Sequence, residues 1–162
     1  MNEPITFTFS KEERALAKKE GVRRQTVNEG RNLRGRNGGA EAGKDALKIH
    51  IIGAGGEMAV ASYLGLKDHL YQESEAKRGS VDLPPNIDVK TAMKHSFNLI
   101  VQLDDAPDKK YVLVTIEKKT CLIHGWIDSK DAMLEKYKAD FFGGRPAYFI
   151  PKSALNPIST LL

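Results

Sequence analysis

The sequence predicts an α+β fold, in which helices pack against a mixed, mostly antiparallel central sheet and a basic helix precedes the whole. Three patterns carry this reading. Residues 11 to 29 are strongly polar and follow a helix-start signal. The run from Ile49 to Leu66 carries one charged residue, Glu57, in an otherwise uncharged stretch. From Val81 onward, short β-type segments follow one another across turn residues instead of alternating with helices, which excludes a doubly wound parallel sheet. A chain of 162 residues fits one domain, and at that size folding hides roughly 70% of the unfolded surface. We read residues 1–44 as a basic N-terminal helix with a Gly/Arg-rich loop and 45–162 as the α+β core of that single domain.

Taken in order, Ile5-Thr-Phe-Thr-Phe alternates at period two and reads as a short strand or an extended arm. Ser10 with Glu13 three residues later is a capping box, so a polar helix is expected from Lys11 to Glu29, with Gly30 ending it. Residues 11 to 36 hold nine bases against four acids, a local +5 in a chain of net +4. Such a field suits a polyanion-binding arm, and equally a solvated helix with pairs such as Glu20 to Arg24. Arg31, Arg34 and Arg36 have no acid three or four residues away and tilt the reading toward the polyanion-binding arm. Between Gly30 and Gly43, five glycines, those three arginines and one large apolar residue, Leu33, predict a mobile loop able to close on DNA.

A second helix is expected from Asp45 to Leu66, although Ile49-His50-Ile51-Ile52 also fits a strand. Gly53, Gly55 and Gly56 would each cost a helix roughly 1 kcal/mol against alanine, which asks for a reason such as close helix-to-sheet contact. Read with a strand before it, Ile51-Ile52-Gly53-Ala54-Gly55-Gly56 also resembles a dinucleotide cradle, with Glu73 or Glu75 where a ribose-binding acid would stand.

Within Val81 to Thr91, Pro84, Pro85 and Asn86 read as the turn between two short strands. Alternation puts Asp88 and Lys90 on one face of the second strand and brings Asp82 beside them. Two carboxylates on one face repel unless a cation or a proton joins them, so we read a metal site with an amine attached. A solvent-facing strand with alternating Asp and Lys is the plainer alternative; Glu57, an acid on an apolar helix face, favours the site. Strands are expected over Phe97 to Leu103, Tyr111 to Glu117 and Cys121 to Ile127, as a meander with turns at Asp104 to Lys110 and Lys118-Lys119-Thr120. Asp128-Ser129 should cap a helix reaching Tyr137, and Ala147 to Ile150 a last strand. Trp126, Phe141, Phe142, Tyr148 and Phe149 are expected to pack the sheet against that last helix. His50, His69 and His124 read as surface or satisfied core residues.

The lone Cys121 cannot form an internal disulfide and reads as a small apolar strand residue. The N-terminus lacks a signal-peptide pattern, and no run approaches the ~20 apolar residues of a membrane helix. These features predict a cytoplasmic protein without a membrane partner.

The order Gly56-Glu57 in a helix, then Asp82, a short turn, and Asp88-Val89-Lys90-Thr91 resembles the PD-(D/E)XK nuclease superfamily, and its small phage and prophage-type members in particular. The likeness continues through Asn98-Leu-Ile-Val, Asp104-Asp105, Tyr111-Val-Leu-Val, His124-Gly-Trp-Ile and Arg145-Pro-Ala-Tyr-Phe-Ile-Pro, over about residues 45 to 155. Val81 stands where proline is commoner, and Asp88 where glutamate is. The resemblance implies a restriction-endonuclease-like core and a Mg2+-dependent DNA endonuclease, with Mn2+ as a substitute. It implies Asp82 and Asp88 as metal ligands, the Val89 carbonyl as a further one, Glu57 as a ligand or holder of a bound water, and Lys90 as the residue orienting the attacking water. Beside Arg31, Arg34 and Arg36, the bases Lys77, Arg78, Lys94 and His95 are candidates for the DNA backbone. A homodimer would supply the two sites that cutting both strands of a duplex asks for. The alternative function is a non-catalytic phage DNA-binding or accessory protein on the same fold.

Overall fold

The computed structural model describes residues 2–30, 44–72, 81–141 and 143–162. The first helix, α1 (Lys11–Gly30), opens on the capping box: Glu13 N–H donates to Ser10 Oγ at 3.1 Å and Ser10 N–H to Glu13 Oε1 at 2.8 Å. Glu13 also accepts from the Ser62 hydroxyl and pairs with Lys67, and although burial opposes it these donors hold its carboxyl down at about 2. The second helix, α2 (Lys44–Leu64), runs unbroken through Ile49–Ile52 and the glycines, so the strand alternative for that segment does not form. Close approach accounts for Gly56 and Gly55. A Cβ at Gly56 would collide with the Thr91 side chain, and one at Gly55 would sit 3.3 Å from Ile116 Cδ1. Gly53 has open space beside it, so this explanation does not extend to it. Where α1 crosses α2, Gly21 lies flush on the neighbouring backbone, since a Cβ there would come within 2.6 Å of Ile51 Cα.

Two sheets complete the fold, which is α+β as expected. Strands β1 (Ile5–Phe7), β2 (Ile87–Ala92), β4 (Lys110–Glu117) and β5 (Thr120–Asp128) form a mixed sheet in the order β1-β5-β4-β2. β2 runs parallel to β4, and the other two pairings are antiparallel. The β4–β5 turn places Lys118 and Lys119 at φ of 49° and 68°, the left-handed pair that a two-residue hairpin demands. β3 (Leu99–Gln102), β6 (Lys138–Ala139) and β7 (Ala147–Ile150) form a separate antiparallel sheet in the order β3-β7-β6. The expected single meander is therefore corrected: β3 leaves the main sheet for β7. Alternation along β4 shows why both sheets are needed. Val112 and Val114 pack into the cluster shared with α2, while Tyr111 and Leu113 join Leu99, Val101 and Ile150. The main sheet is thus buried on both faces.

The helix expected from Asp128 to Tyr137 is one turn, α3 (Ser129–Ala132), followed by a 3-10 turn at Glu135–Tyr137. Asp128 makes no side-chain cap; its carboxylate pairs with Lys110 at 2.8 Å. With no long helix there, the expected aromatic packing is also corrected. Phe141 is 73% exposed and meets Phe149 edge to face, and Trp126 donates to Thr160 Oγ1 at 2.7 Å beside the C-terminal turn. Phe142 lies outside the described residues. β1 and α1 are integral to the core, one as a strand of the main sheet and the other along α2.

Candidate active site

β2 is one of the two outer strands of the main sheet, and the segment before it doubles back on that strand. Leu83 and Ile87 exchange backbone hydrogen bonds at 3.0 and 2.9 Å around the Pro84-Pro85-Asn86 turn. The expected pair of strands is thus reduced to a bridge, with the expected effect. Val89 N–H donates to Asp82 Oδ2 at 2.8 Å, and Asp82 N–H faces Asp88 Oδ1 at 3.3 Å. Glu57, buried on α2, reaches the same place and lies within hydrogen-bonding reach of the Asp82 carboxyl. Burial, then the charge of Glu57, pushes Asp82 up to about 8, so its carboxyl keeps a proton at neutral pH. Burial and then Asp82 raise Asp88 as well, against the pull of Lys109. Asp82 therefore neighbours both of the other predicted acids, Glu57 on one side and Asp88 on the other.

Two cations sit among them. Arg24 of α1 pairs through Nη1 with Glu57 Oε2 at 2.7 Å and through Nε with Glu20 Oε2 at 2.8 Å. Lys109, almost wholly buried, pairs with Asp88 Oδ2 at 2.9 Å. The sequence reading missed both. The signal for Arg24 was the helical stripe Glu13, Ala17, Glu20, Gly21, Arg24, whose members turn inward although three carry charge. Lys109 has the parity of Tyr111 and Leu113, which points it to the Asp88 face of the sheet. Lys90 shares that face of β2, and its Nζ is held by Asp105 Oδ2 at 2.8 Å, 5.5 Å above the Tyr111 ring.

Among the described residues, no group of three or more His, Cys, Asp or Glu side chains is arranged to hold a metal ion. In kind the donors fit a hard divalent cation, being carboxylates with a carbonyl at hand. In arrangement they are closed by Arg24, by Lys109 and by the contact of Glu57 with Asp82.

Of the candidate DNA contacts, Arg31, Arg34, Arg36, Lys77 and Arg78 lie outside the described residues, as do Glu73 and Glu75. Lys94 is exposed, with Nζ 5.9 Å from the Phe97 ring. His95 is engaged on the sheet: its N–H donates to Glu117 Oε1 at 2.9 Å, and Nδ1 is 2.7 Å from Thr115 Oγ1. His124 Nε2 meets the same hydroxyl at 2.7 Å, and burial, then the charges of Lys152 and His95, push it down to about 4. His50 lies 3.0 Å from Asn28 Nδ2 and His69 is exposed. Cys121 is buried and pushed up to about 12. The dinucleotide cradle fails on backbone grounds. Gly53 to Gly56 lie in the body of α2, where amides are bound within the helix, and the residues leading into them from Lys44 are helix and not strand. Among the described residues no helix is long and apolar enough to cross a membrane.

No protein-family model, curated protein or solved structure matches the chain.

Proposed function

We propose that the chain is a Mg2+-dependent DNA endonuclease centred on Glu57, Asp82, Asp88 and Lys90. The observation that carries this is that Glu57 and Asp88 both neighbour the buried Asp82 at one strand edge, with Asp82 driven up to about 8. Gathering acids out of water opposes folding unless something positive returns the energy, and hard oxygen donors favour Mg2+ or Mn2+ over softer metals. Asp82 and Asp88 would hold the ion, with the Val89 carbonyl and Glu57 completing the set. When bound, the ion supplies Lewis acidity toward a phosphoryl oxygen and a water of lowered pKa.

The chain's own groups do the rest. Asp105 and the Tyr111 ring fix the Lys90 ammonium, which orients the attacking water and stabilises charge gathering on the phosphoryl oxygens. Arg24 pairs with Glu57 and Lys109 with Asp88, so both acids have a cationic partner from the chain itself. In-line attack by water breaks the P–O3′ bond and leaves a 5′-phosphate and a 3′-hydroxyl. Supercoiled plasmid in Mg2+, Mn2+ or EDTA provides the test. Asp88→Asn and Lys90→Ala should each abolish metal-dependent nicking while the circular dichroism spectrum is kept; undiminished nicking by both refutes the assignment.

The counter-ion closure by Arg24 and Lys109 favours a second reading, an accessory DNA-binding protein without catalysis. DNA binding by the wild type, with no nicking in either metal, is its signature.

A further inference from the structure

A groove of about 1070 Å³ opens between β2 and the smaller sheet and begins at Lys90. β3 alternates, so Leu99 and Val101 enter the core while Ile100 and Gln102 turn to the groove. Asn98 and Phe97 extend that wall, and Arg145 stands at its margin. Phe97 is 47% exposed, a large apolar surface left in water at the wall of a groove that mixes polar and apolar lining. The Lys94 ammonium lies beside it, 5.9 Å from the ring. Arg145 is fixed through its backbone, whose N–H donates to Asp140 Oδ1 at 3.0 Å, and its guanidinium has no ion-pair partner among the described residues. The lining carries Lys90 and Arg145 against Asp104; Asp105 holds Lys90 and the Lys94 ammonium lies beside Phe97 outside the lining, so the five together leave an excess of one positive charge.

We propose that this groove binds DNA as an unpaired single strand, with a base stacked on Phe97 and the backbone drawn by Arg145 toward Lys90. The inference rests on the reading of the acidic site as a nuclease and names its substrate class: flaps, loops or other unpaired segments. An aromatic ring flanked by cations is the combination that captures single strands, because stacking needs a base face. In a duplex those faces are covered by neighbouring pairs, and Phe97 would meet only sugars and phosphates. Asn98 and Gln102 each offer an amide donor and acceptor, so they can bond a base edge of any type and impose little sequence preference.

The test is fluorescence anisotropy on the full-length Asp88→Asn protein in EDTA, with a labelled oligothymidylate and, in parallel, its duplex with oligoadenylate. The single strand should bind more tightly than the duplex. Adding Phe97→Ala should raise the single-strand Kd on the order of tenfold, as expected for a lost stacking partner, and leave the duplex Kd unchanged. Adding Arg145→Ala should lower the salt slope of single-strand binding by about 0.7, the value for one phosphate contact. Equal affinity for the two forms, no binding of either, or a Phe97→Ala effect that is absent or the same on both would overturn the inference. Equal affinity with metal-dependent nicking intact removes the groove's role and leaves the endonuclease reading standing. Phe97-dependent single-strand binding without nicking by the wild type in any metal removes the enzyme and keeps the groove.

Discussion

Replacing Asp82 by asparagine should stabilise the metal-free protein and flatten its dependence on pH. The unfolded chain releases the Asp82 proton near 3.8, and the folded protein only near 8. Between those values the unfolded state binds fewer protons, so stability falls as pH rises. The favourable contribution is complete below about 3.8 and gone above about 8. One proton of difference is worth about 1.4 kcal/mol per pH unit, so the loss is on the order of 4 kcal/mol by pH 7. Asparagine keeps an oxygen for Val89 N–H and offers Glu57 a neutral donor, but burying its amide returns about 1–3 kcal/mol of that gain. The net expectation is about 1–3 kcal/mol of added stability at neutral pH and little below about pH 5. Urea unfolding in EDTA across about pH 5 to pH 9 measures it. The comparison must be between the two proteins, because His50 and His124, both depressed, make stability rise with pH in the lower part of the same range. Parallel pH curves for wild type and Asp82→Asn would refute the claim that this carboxyl is buried against its charge. Under the proposed function, Mg2+ should restore stability to the wild type at high pH and do less for the variant.

Gly56→Ala should cost about 1–3 kcal/mol by urea unfolding because its methyl meets the Thr91 side chain, whereas Gly53→Ala, with nothing within 4 Å, should be neutral or gain up to about 1 kcal/mol. Thr115→Val removes the hydroxyl shared by His95 and His124 and should cost about 2 kcal/mol, read as a lowered Tm. Replacing Arg31, Arg34 and Arg36 together by alanine should weaken duplex binding and reduce its salt slope by about 2–3; an unchanged slope would mean that these arginines do not contact phosphate.

The elements that local chemistry specifies were legible in the sequence. Ser10 and Glu13 start α1 as their spacing demands, and the Pro84-Pro85-Asn86 turn brings Asp82 to Asp88. What escaped depends on partners distant in the chain. Ile49 to Ile52 reads equally as helix or strand, and the decision comes from Gly21 of α1 lying against Ile51. Phe97 to Leu103 announces a strand but not its sheet, which is set by β7 nearly fifty residues later. Asp128-Ser129 resembles a cap, yet the Asp128 carboxylate is claimed by Lys110 across the sheet, and the helix stops after one turn. The acids of the site could be found by alternation and by the isolation of Glu57. Their counter-ions could not, because Arg24 and Lys109 look like surface charges until the packing of α1 and the parity of β4 turn them inward.

The bond from Val89 N–H to Asp82 bears on how the protein avoids joining its neighbours. β2 borders the main sheet, and an open amide on such a border invites a strand from another molecule. The Asp82 side-chain oxygen occupies that donor, acting as a molecular hem on the fabric of the sheet. An asparagine in its place would leave the hem sewn, whereas an alanine would unpick it and expose the border to self-association at high concentration.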